Sequence, residues 1–361
     1  MLILLIDELL DLFPLLNAFA YISTRTVAAT FTSGFIVFLL SPAIIRYFKK
    51  HQKNGQPIRA DGPKRHIIEK SGTPTMGGVI ILLGVIVSSL LWADLSNKYI
   101  WVVGFIALFF GLIGFYDDYL KVTNSSSNGL NSFYKILLQT LISIIAVVFL
   151  IKNVGDFQPV VLMPFLKDFS INLGIFFIIF STLVVVGSSN SVNLTDGLDG
   201  LAIMPVMIAI GSFGLIAYLT GNILFSEYLN IQYVSGSGEL AIVCGAVIGA
   251  GVGFLWYNAP PAMIFMGDTG SLSLGSVIGI IAVITKHEFV LLIIGGLFVL
   301  EATSVIVQVI SYRLTGKRIF KMAQLHHHFE HKVWSEPTIV IRFWIISLIL
   351  ALVGLLTLKL R

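Results

Sequence analysis

Long apolar segments separated by short polar ones run along nearly the whole chain. A helix needs roughly 17 to 25 predominantly apolar residues to cross a bilayer. Ten segments are candidates, although the eighth, with 13 residues, is shorter than this: Val27–Phe48, Met76–Trp92, Ile100–Tyr116, Phe133–Ile151, Ile171–Val186, Leu201–Leu219, Leu240–Tyr257, Leu272–Ile284, Phe289–Tyr312 and Ile339–Leu358. A transmembrane β-barrel would show alternating segments of about ten residues, and the chain lacks them. The pattern predicts an all-α, polytopic membrane protein with about ten transmembrane helices.

The composition agrees with this class. Of 361 residues, 56% are hydrophobic and 12% are charged, whereas a soluble protein has about 25% charged residues. A water-soluble chain of this composition would have to expose large apolar patches. No internal repeat and no polar module interrupts the apolar pattern, so residues 1–361 are predicted to form a single integral membrane domain.

The first twenty residues form a separate case. Residues 1–20 are apolar but carry Asp7, Glu8 and Asp11. A secretory signal peptide would begin with a basic region, which is absent here. We interpret this segment as an interfacial helix on the outer side of the membrane.

Lysine and arginine are concentrated in two predicted loops. Residues 46–70 contain Arg46, Lys49, Lys50, Lys53, Arg59, Lys64, Arg65 and Lys70, and residues 313–332 contain Arg313, Lys317, Arg318, Lys321 and Lys332. The alternate loops hold little beyond Lys98, Lys152, Lys167 and Lys286. The positive-inside rule places the two basic loops in the cytoplasm. Ten spans then place both termini outside, on the periplasmic side.

The charge and the cysteine content exclude some classes of partner and of metal site. The net charge of +4 reflects the topology and also suits an anionic substrate. We expect no nucleic-acid partner, because the basic residues do not alternate with aromatic residues on a soluble face. The single cysteine, Cys244, lies in a predicted span, which excludes an intrachain disulfide and a cysteine zinc site.

Five polar clusters lie at the ends of predicted spans. They are Asp117 with Asp118, Asn190 to Asp199, Asn258 to Asp268, His326 to His328, and Lys70 with Thr75. All fall in the main cytoplasmic loops, at about 46–75, 117–132, 187–200, 258–271 and 313–337. Hydropathy does not require this, since carboxylates can end a span on either face. The common side predicts one composite active site on the cytoplasmic face.

The first cluster is a pair of adjacent carboxylates. Asp117 and Asp118 repel each other in a low-dielectric setting unless a cation intervenes. Mg²⁺ takes oxygen ligands and is often shared with substrate phosphates. Adjacent helical side chains point about 100° apart, so one aspartate can face a metal and the other a second substrate. The alternative is a solvated helix end with Lys121 as a local ion-pair partner.

The second cluster repeats amides and carboxylates at steps of three. Asn190, Asn193 and Asp196 share a helix face if the fifth helix continues that far. The glycines that follow let the backbone approach a ligand closely. This set suits ribose hydroxyls, a uracil edge or a metal. The alternative is a helix terminus, with Asp199 capping the next helix.

The third cluster places Asp268 between two glycines at the entry to a helix, which suits a phosphate or a metal–phosphate complex. Phe265 can stack on a base or simply pack. The three consecutive histidines, His326 to His328, and the basic residues around them form a cationic loop. Such a loop suits a diphosphate, and the alternative is that it simply lies on the surface. A zinc site is also conceivable, but the histidines lack the further ligands at regular spacing that zinc sites usually have.

Glu301 lies deep in the predicted ninth span, where a carboxylate costs a few kcal/mol and needs a partner or a role. Gln308 lies two turns nearer the cytoplasm on a similar face. A structural hydrogen bond explains Glu301 at least as well as catalysis does.

Together the motifs resemble one family. DDYLK, NSVNLTDGLDGLA, FMGDTGSLSLG and HHHFE, with RADGPKRH and SGTPTMGG in the first basic loop, are similar to those of phospho-N-acetylmuramoyl-pentapeptide transferases, and the likeness extends to the closing RFWIISLILALVGLLTLKLR. The wider group of polyprenyl-phosphate N-acetylhexosamine-1-phosphate transferases shares the aspartate motifs. The triple histidine followed by Phe-Glu favours the muramoyl-pentapeptide branch.

The resemblance implies a Mg²⁺-dependent reaction in peptidoglycan synthesis. Undecaprenyl phosphate attacks the β-phosphate of UDP-N-acetylmuramoyl-pentapeptide, which gives a lipid-linked diphosphate sugar and UMP. It also implies a multi-pass protein of the bacterial cytoplasmic (inner) membrane and a homodimer. Two other functions stay open: a sister transferase that uses UDP-N-acetylglucosamine, and a membrane transporter, whose substrate groups would lie nearer the middle of the membrane.

The resemblance also assigns roles to residues. Asp268 matches a metal ligand, Asp117 would contact or deprotonate the lipid phosphate, and Asp118 would support it or the metal. Lys121 and Lys135 would hold the lipid phosphate, and the polyprenyl tail would lie in a groove open to the bilayer. The residues expected on the nucleotide and sugar-diphosphate side are Lys70, Thr75, Asn190, Asn193, Asp196, Gly197, Leu198, Asp199, Asn258, Phe265 and Gln308, with His326, His327 and His328 beside the diphosphate. An aspartate could act as base in a direct attack or as nucleophile in a two-step route.

Overall fold

The computed structural model describes residues 14–52, 55, 70, 72–126, 128–155, 157–165, 169–332 and 334–359. Within these residues, nine helices are long and apolar enough to cross a membrane. A further apolar helix, Gly78–Trp92, has 15 residues. The expected helical, polytopic architecture is therefore confirmed, and every predicted span contains a helix.

We number the elements in chain order. The helices are α1 (Ile22–His51), α2 (Gly78–Trp92), α3 (Lys98–Thr123), α4 (Ser132–Asn153), α5 (Phe176–Thr195), α6 (Ile203–Thr220), α7 (Ile223–Leu229), α8 (Leu240–Asn258), α9 (Gly267–Ile284), α10 (Glu288–Ile294), α11 (Gly296–Thr315), α12 (Leu325–Glu330) and α13 (Glu336–Leu356). The strands are β1 (Val160–Leu162) and β2 (Ser170–Asn172). Two short 3-10 helices, Pro14–Ala20 and Ser237–Glu239, precede α1 and α8.

The predicted interfacial helix is only partly covered. Residues 1–13 lie outside the described residues, as does RADGPKRH at residues 59–66. Residues 14–20 form a 3-10 helix that packs against α1. The ring of Phe19 stacks on Trp92 at the end of α2, with 5.5 Å between ring centroids.

A small β-hairpin precedes α5, and the sequence analysis missed it. Strands β1 and β2 are antiparallel, with Val160 opposite Asn172 and Leu162 opposite Ser170. Ile171 was predicted to begin the fifth span, but it lies in β2. Strands of three residues are too short to produce a recognisable alternating pattern, because typical strands have about five or six residues.

Helix α5 ends at Thr195, beyond the predicted end at Val186. Its last turns are polar, and their side chains form hydrogen bonds both to neighbouring helices and within the helix. The Ser191 hydroxyl donates to the Gly187 carbonyl at 2.7 Å, and the Thr195 hydroxyl donates to the Ser191 carbonyl at 2.9 Å. A hydropathy pattern therefore underestimates the length of this helix. The extension carries the spaced amides of the second polar cluster on helical turns.

The predicted ninth span is two helices. Helix α10 ends at Ile294 and α11 begins at Gly296, with Gly295 between them. Glycine lowers helix stability by about 1 kcal/mol relative to alanine, so two consecutive glycines favour a break. The break separates the short α10 from α11, which carries Glu301.

Helix α9 is the most deeply buried of the nine long helices, with 94% of its residues buried, and it packs between α3 and α5. Glycines allow this close approach. A Cβ on Gly114 of α3 would overlap the backbone carbonyl of Asp268, and one on Gly275 would lie 2.7 Å from the Cα of Ser189. Small residues at helix interfaces let backbones meet. The first turn of α9 therefore lies against the last turns of α3.

Candidate active site

The ends of α3, α5 and α9 surround a cavity of about 920 Å³. Most of the predicted site residues line it: Lys70, Asp117, Lys121, Lys135, Asn190, Asn193, Asp196, Gly197, Leu198, Asp199, Asn258, Phe265, Asp268 and His327. These residues come from six segments of the chain. The first and the last of them, Lys70 and His327, are 257 positions apart in the sequence. The cavity brings all five predicted polar clusters together, each represented by at least one residue.

Two aspartates and two lysines form the charged part of the cavity. The Asp117 carboxylate lies 2.6 Å from the Lys121 ammonium, one helical turn away. The same ammonium lies 3.2 Å from Oδ1 of Asp268. Lys135, from the first turn of α4, pairs with Oδ2 of Asp268 and lies 3.9 Å from Asp117. The lysines bridge the two carboxylates, so this group combines anionic ligands for a metal with cations for a phosphate.

Asp118 is turned away from the cavity. Its Oδ1 accepts from the backbone N–H of Asp268 at 3.1 Å. Its Oδ2 accepts from the backbone N–H and the hydroxyl of Thr269, at 3.0 and 2.8 Å. The side chain is fully buried. Asp118 thus ties the end of α3 to the first turn of α9 and holds Asp268 in place.

The acidic cluster can hold a metal. Ligand atoms of Asp117, Asp118 and Asp268 lie within 4.8 Å of one another. A carboxylate offers about four lone-pair sites, and three of those of Asp118 accept hydrogen bonds. Asp117 and Asp268, unlike Asp118, line the cavity. One or two carboxylates plus substrate phosphates are a common Mg²⁺ environment, and the donor set fits it.

Helix α5 contributes the amides. Asn193 donates through Nδ2 to Oδ1 of Asp268 and to the Ser271 hydroxyl, both at 2.9 Å. Asn190 donates to the side-chain carbonyl of Gln139 on α4 at 2.7 Å. The two amides lie one turn apart on the same face, as the spacing predicted. Asn193 therefore orients the carboxylate of Asp268 from the side opposite α3.

The far wall of the cavity is built around Lys70. Its ammonium lies 2.7 Å from Asp199 and 2.6 Å from Glu336. Glu336 also accepts from the backbone N–H of Asp199 at 2.9 Å. Burial lowers the pKa of Lys70, but the two carboxylates outweigh it, so the net pKa is raised. Lys70 remains a cation at neutral pH.

Sequence reasoning missed Glu336. In Ser335-Glu336-Pro337, at the start of α13, the acid has the usual place of a residue in a first helical turn. Nothing in that pattern indicates a partner 266 positions away. The contact joins the last long helix to the cavity wall.

The polar turn after α5 completes the wall. The backbone N–H of Gly200 donates to Asn258 at 3.1 Å, and Asn258 donates to the Ile264 carbonyl at 2.9 Å. The ring of Phe265 lies beside this turn, with its centroid 6.0 Å from the Lys70 ammonium. An aromatic face, amides and a cation are thus presented on one side of the cavity.

Asp196 lies in the same turn. Burial, together with the negative charges of Asp268, Asp118 and Asp199, raises the pKa of Asp196 to about 8, and Lys70 opposes this. Asp196 therefore holds its proton to a higher pH than a free carboxyl group does and, when protonated, can donate a hydrogen bond.

A second missed feature is the turn between α3 and α4. The backbone N–H of Leu130 donates to Oδ1 of Asp117 at 2.8 Å. A Cβ on Gly129 would lie 2.6 Å from the same oxygen. The Asn128-Gly129 dipeptide, a typical turn signal, could have indicated a close approach of the backbone to a partner.

Besides Asp118, four predicted site residues do not line the cavity. Thr75 is buried and its backbone N–H donates to Gln52 at 3.0 Å. Nδ1 of His328 accepts from the Lys321 backbone at 3.2 Å. Gln308 and His326 contact the loop after α11 and Glu301, respectively. The side chains of Gln308 and His328 bind the protein's own backbone and the His326 ring contacts the Glu301 carboxylate, none of which spacing alone reveals.

Comparison with known proteins gives the family. Residues 100–286 match Glycosyl transferase family 4, and residues 70–82 match the Phospho-N-acetylmuramoyl-pentapeptide-transferase signature 1. The Phospho-N-acetylmuramoyl-pentapeptide-transferase of Bartonella quintana (strain Toulouse) is 60% identical over 355 residues, 98% of this chain and 99% of that protein. The enzyme of the same name from Maricaulis maris (strain MCS10) is 56% identical over 367 aligned positions, covering all of both chains.

The chain belongs to the phospho-N-acetylmuramoyl-pentapeptide-transferase family. The recognition of this family from the motifs is confirmed, and so is the classification as a transferase. Family membership and the nine long apolar helices among the described residues together establish a multi-pass membrane protein. The signature at residues 70–82 begins at Lys70, in the wall of the cavity, and extends into α2.

Proposed function

We propose that the chain transfers phospho-N-acetylmuramoyl-pentapeptide from its UDP derivative to undecaprenyl phosphate and releases UMP. The proposal rests on one observation: a single cavity joins the Asp117, Lys121, Lys135 and Asp268 group to a wall of amides and an aromatic ring. The identity of 60% to an enzyme of that name supports this donor. A diphosphate would lie between the two parts of the cavity.

The wall from Lys70 to Phe265 would bind the nucleotide sugar. Phe265 would stack on uracil, and the turn from Asp196 to Asp199 would contact ribose and sugar. His327 lines the cavity and would lie beside the diphosphate. Lys70, although paired with two carboxylates, would contribute a donor to the same anionic group.

The lipid phosphate would bind on the opposite side, at Lys121 and Lys135. We propose a direct displacement: an oxygen of the lipid phosphate forms a bond to the β-phosphorus, and the bond from that phosphorus to the bridging oxygen breaks, releasing UMP. Asp117 would orient the lipid phosphate or accept its proton. Phosphoryl transfer depends mainly on positioning and charge stabilisation, which this group of side chains can supply.

We further propose that Mg²⁺ binds at Asp268 with Asp117 beside it. Such an ion, when bound, neutralises charge on the diphosphate and on the leaving UMP. The fit of the donor set supports this assignment: two carboxylates face the cavity, and two lysines already share them. Asn193 and Asp118 would hold Asp268 from either side.

The placement in the cell follows from the same proposal. The chain would form one membrane domain in the bacterial inner membrane, with the cavity on the cytoplasmic face, where nucleotide sugars are made. Both termini would lie in the periplasm. We expect a homodimer, by analogy with the family.

The substrate assignment is tested by UMP release in the presence of undecaprenyl phosphate. The purified protein is expected to release UMP from UDP-N-acetylmuramoyl-pentapeptide and not from UDP-N-acetylglucosamine. Preference for UDP-N-acetylglucosamine would identify a sister transferase. Uptake of a nucleotide sugar into vesicles without UMP release would identify a transporter instead.

The direct route has its own test. The protein is incubated with UDP-N-acetylmuramoyl-pentapeptide in the absence of lipid, and its aspartates are examined by mass spectrometry. Direct displacement predicts no covalent adduct. A sugar-phosphate adduct on Asp117 or Asp268 would overturn it and establish a two-step route.

A further inference from the structure

Helix α11 carries a stripe of three buried polar side chains. Glu301, Ser304 and Gln308 are spaced by three and four residues, so they lie on one helical face. They are 0%, 4% and 8% exposed. Buried polar groups within a membrane helix need partners, and all three find them in the segment that follows α11.

Two members of the stripe fix the start of that segment. Gln308 accepts from the backbone N–H groups of Ile319 and Phe320, both at 3.0 Å, and donates to the Phe320 carbonyl at 3.0 Å. Ser304 donates to the Ala323 carbonyl at 2.7 Å. The loop after α11 therefore runs back along this stripe toward the cavity and is held to it by hydrogen bonds.

Glu301 holds the end of the segment, where α12 begins. Its Oε2 accepts from the backbone N–H of Leu325 at 2.9 Å. Its Oε1 faces the backbone N–H and the ring Nδ1 of His326, each at 3.1 Å. Two carboxylate oxygens thus meet three nitrogen groups. An amide at this position would offer one acceptor oxygen and would turn an NH₂ group toward a donor.

The ring of His326 supports the cavity wall from behind. His326 is completely buried, and a Cβ on Gly197 would overlap its Nε2. Gly197 itself lines the cavity. Nε2 has no hydrogen-bond partner among the residues that the structure describes. The orientation of this ring therefore determines where the turn from Asp196 to Leu198 can lie.

We propose that Glu301 is a positioning residue for the transfer reaction. It keeps the proton of His326 on Nδ1 and holds the ring against Gly197, so that the wall for the nucleotide sugar has one fixed position. The inference rests on the proposed function of that wall. It assigns a role to the buried carboxylate of Glu301, which does not line the cavity.

The contact can be tested directly in the unmodified protein. Among the seven histidines, His326 alone follows a leucine, so carbonyl-¹³C leucine combined with ¹³C,¹⁵N-histidine selects its NMR signals. In bilayers, the ring is expected to show a proton bonded to Nδ1. A bare Nδ1 with the proton on Nε2 would overturn the proposal, whatever substrate the enzyme uses.

Kinetics test the consequence. Glu301→Gln is expected to raise KM for the nucleotide sugar by about ten-fold or more, with KM for the lipid phosphate unchanged. The reason is that a displaced cavity wall binds the nucleotide sugar less tightly. Thr303→Val, on the exposed side of the same helix, is the matched control and should change neither constant.

Two kinetic outcomes are decisive. A loss of kcat alone, with both KM values unchanged, would identify Glu301 as a purely structural residue and overturn the proposal. If the unmodified protein releases no UMP from any UDP sugar, the proposed function fails while the NMR result stands, so the two failures are distinguishable. If Glu301→Gln does not fold, the NMR measurement on the unmodified protein still decides.

Discussion

Adjacent residues in this protein can serve different purposes. Asp117 faces the cavity and pairs with Lys121, whereas Asp118 is buried and accepts three hydrogen bonds from the first turn of α9. The sequence indicated the pair and its possible link to a metal. It could not indicate which member faces the cavity, because that depends on where α9 lies.

This division predicts different effects of the same substitution. Asp118→Asn leaves one acceptor oxygen for three donors and should lower the free energy of unfolding by about 1 to 3 kcal/mol. Asp117→Asn should abolish or strongly reduce UMP release and lower the unfolding temperature less, because the amide oxygen can still accept from Leu130 and Lys121 keeps Asp268 as a partner. Thermal unfolding in detergent, without added metal, compares the two variants. Equal unfolding temperatures would contradict the separation of roles.

The pH dependence of stability tests the environment of Asp196. Its pKa is raised from 3.8 to about 8 in the folded protein. A raised folded pKa contributes stability at low pH that is lost as the pH rises through that pKa. In metal-free protein, the stability of the parent relative to Asp196→Asn should therefore be constant below pH 3.8, fall between pH 3.8 and about pH 8, and stay constant above. Thermal unfolding curves that run parallel at every pH would contradict this.

At the scale of elements, the site depends on how closely α9 approaches α3. The hydropathy pattern predicted a helix from Leu272, but α9 begins at Gly267, because its polar first turn is buried against protein. Asp268 therefore lies inside the helix bundle. Glycines make this contact, and no pattern along one segment shows which helix they face.

Alanine substitutions in α3 test that contact. Gly114→Ala places a methyl group against the backbone of Asp268 and should lower the free energy of unfolding by roughly 1 to 3 kcal/mol. Gly104→Ala, in the same helix, meets nothing within 4 Å and is the matched control. It should be neutral or stabilise the helix by up to about 1 kcal/mol. Unfolding temperatures in detergent measure both, and equal effects would show that α3 and α9 are not closely packed.

At the scale of the whole molecule, the sequence predicts the architecture better than it predicts the contacts. Apolar segment length is a local property, so it predicted where the spans lie, but it missed the hairpin before α5, the break at Gly295 and the polar ends of α5 and α9. The family motifs identified most of the residues around the cavity. Glu336 and the Glu301–His326 contact were missed as site features, because each joins segments that only the folded chain brings together.

In the mechanism that we propose, one cavity carries out the transfer and Asp268 holds Mg²⁺. The most direct test is Mg²⁺-dependent UMP release from UDP-N-acetylmuramoyl-pentapeptide and undecaprenyl phosphate by Asp268→Asn. Asp94→Asn, in the loop before α3 and outside the cavity, is the control. We expect that Asp268→Asn folds but releases no UMP, while the control retains full turnover. Near-normal turnover by folded Asp268→Asn would contradict it.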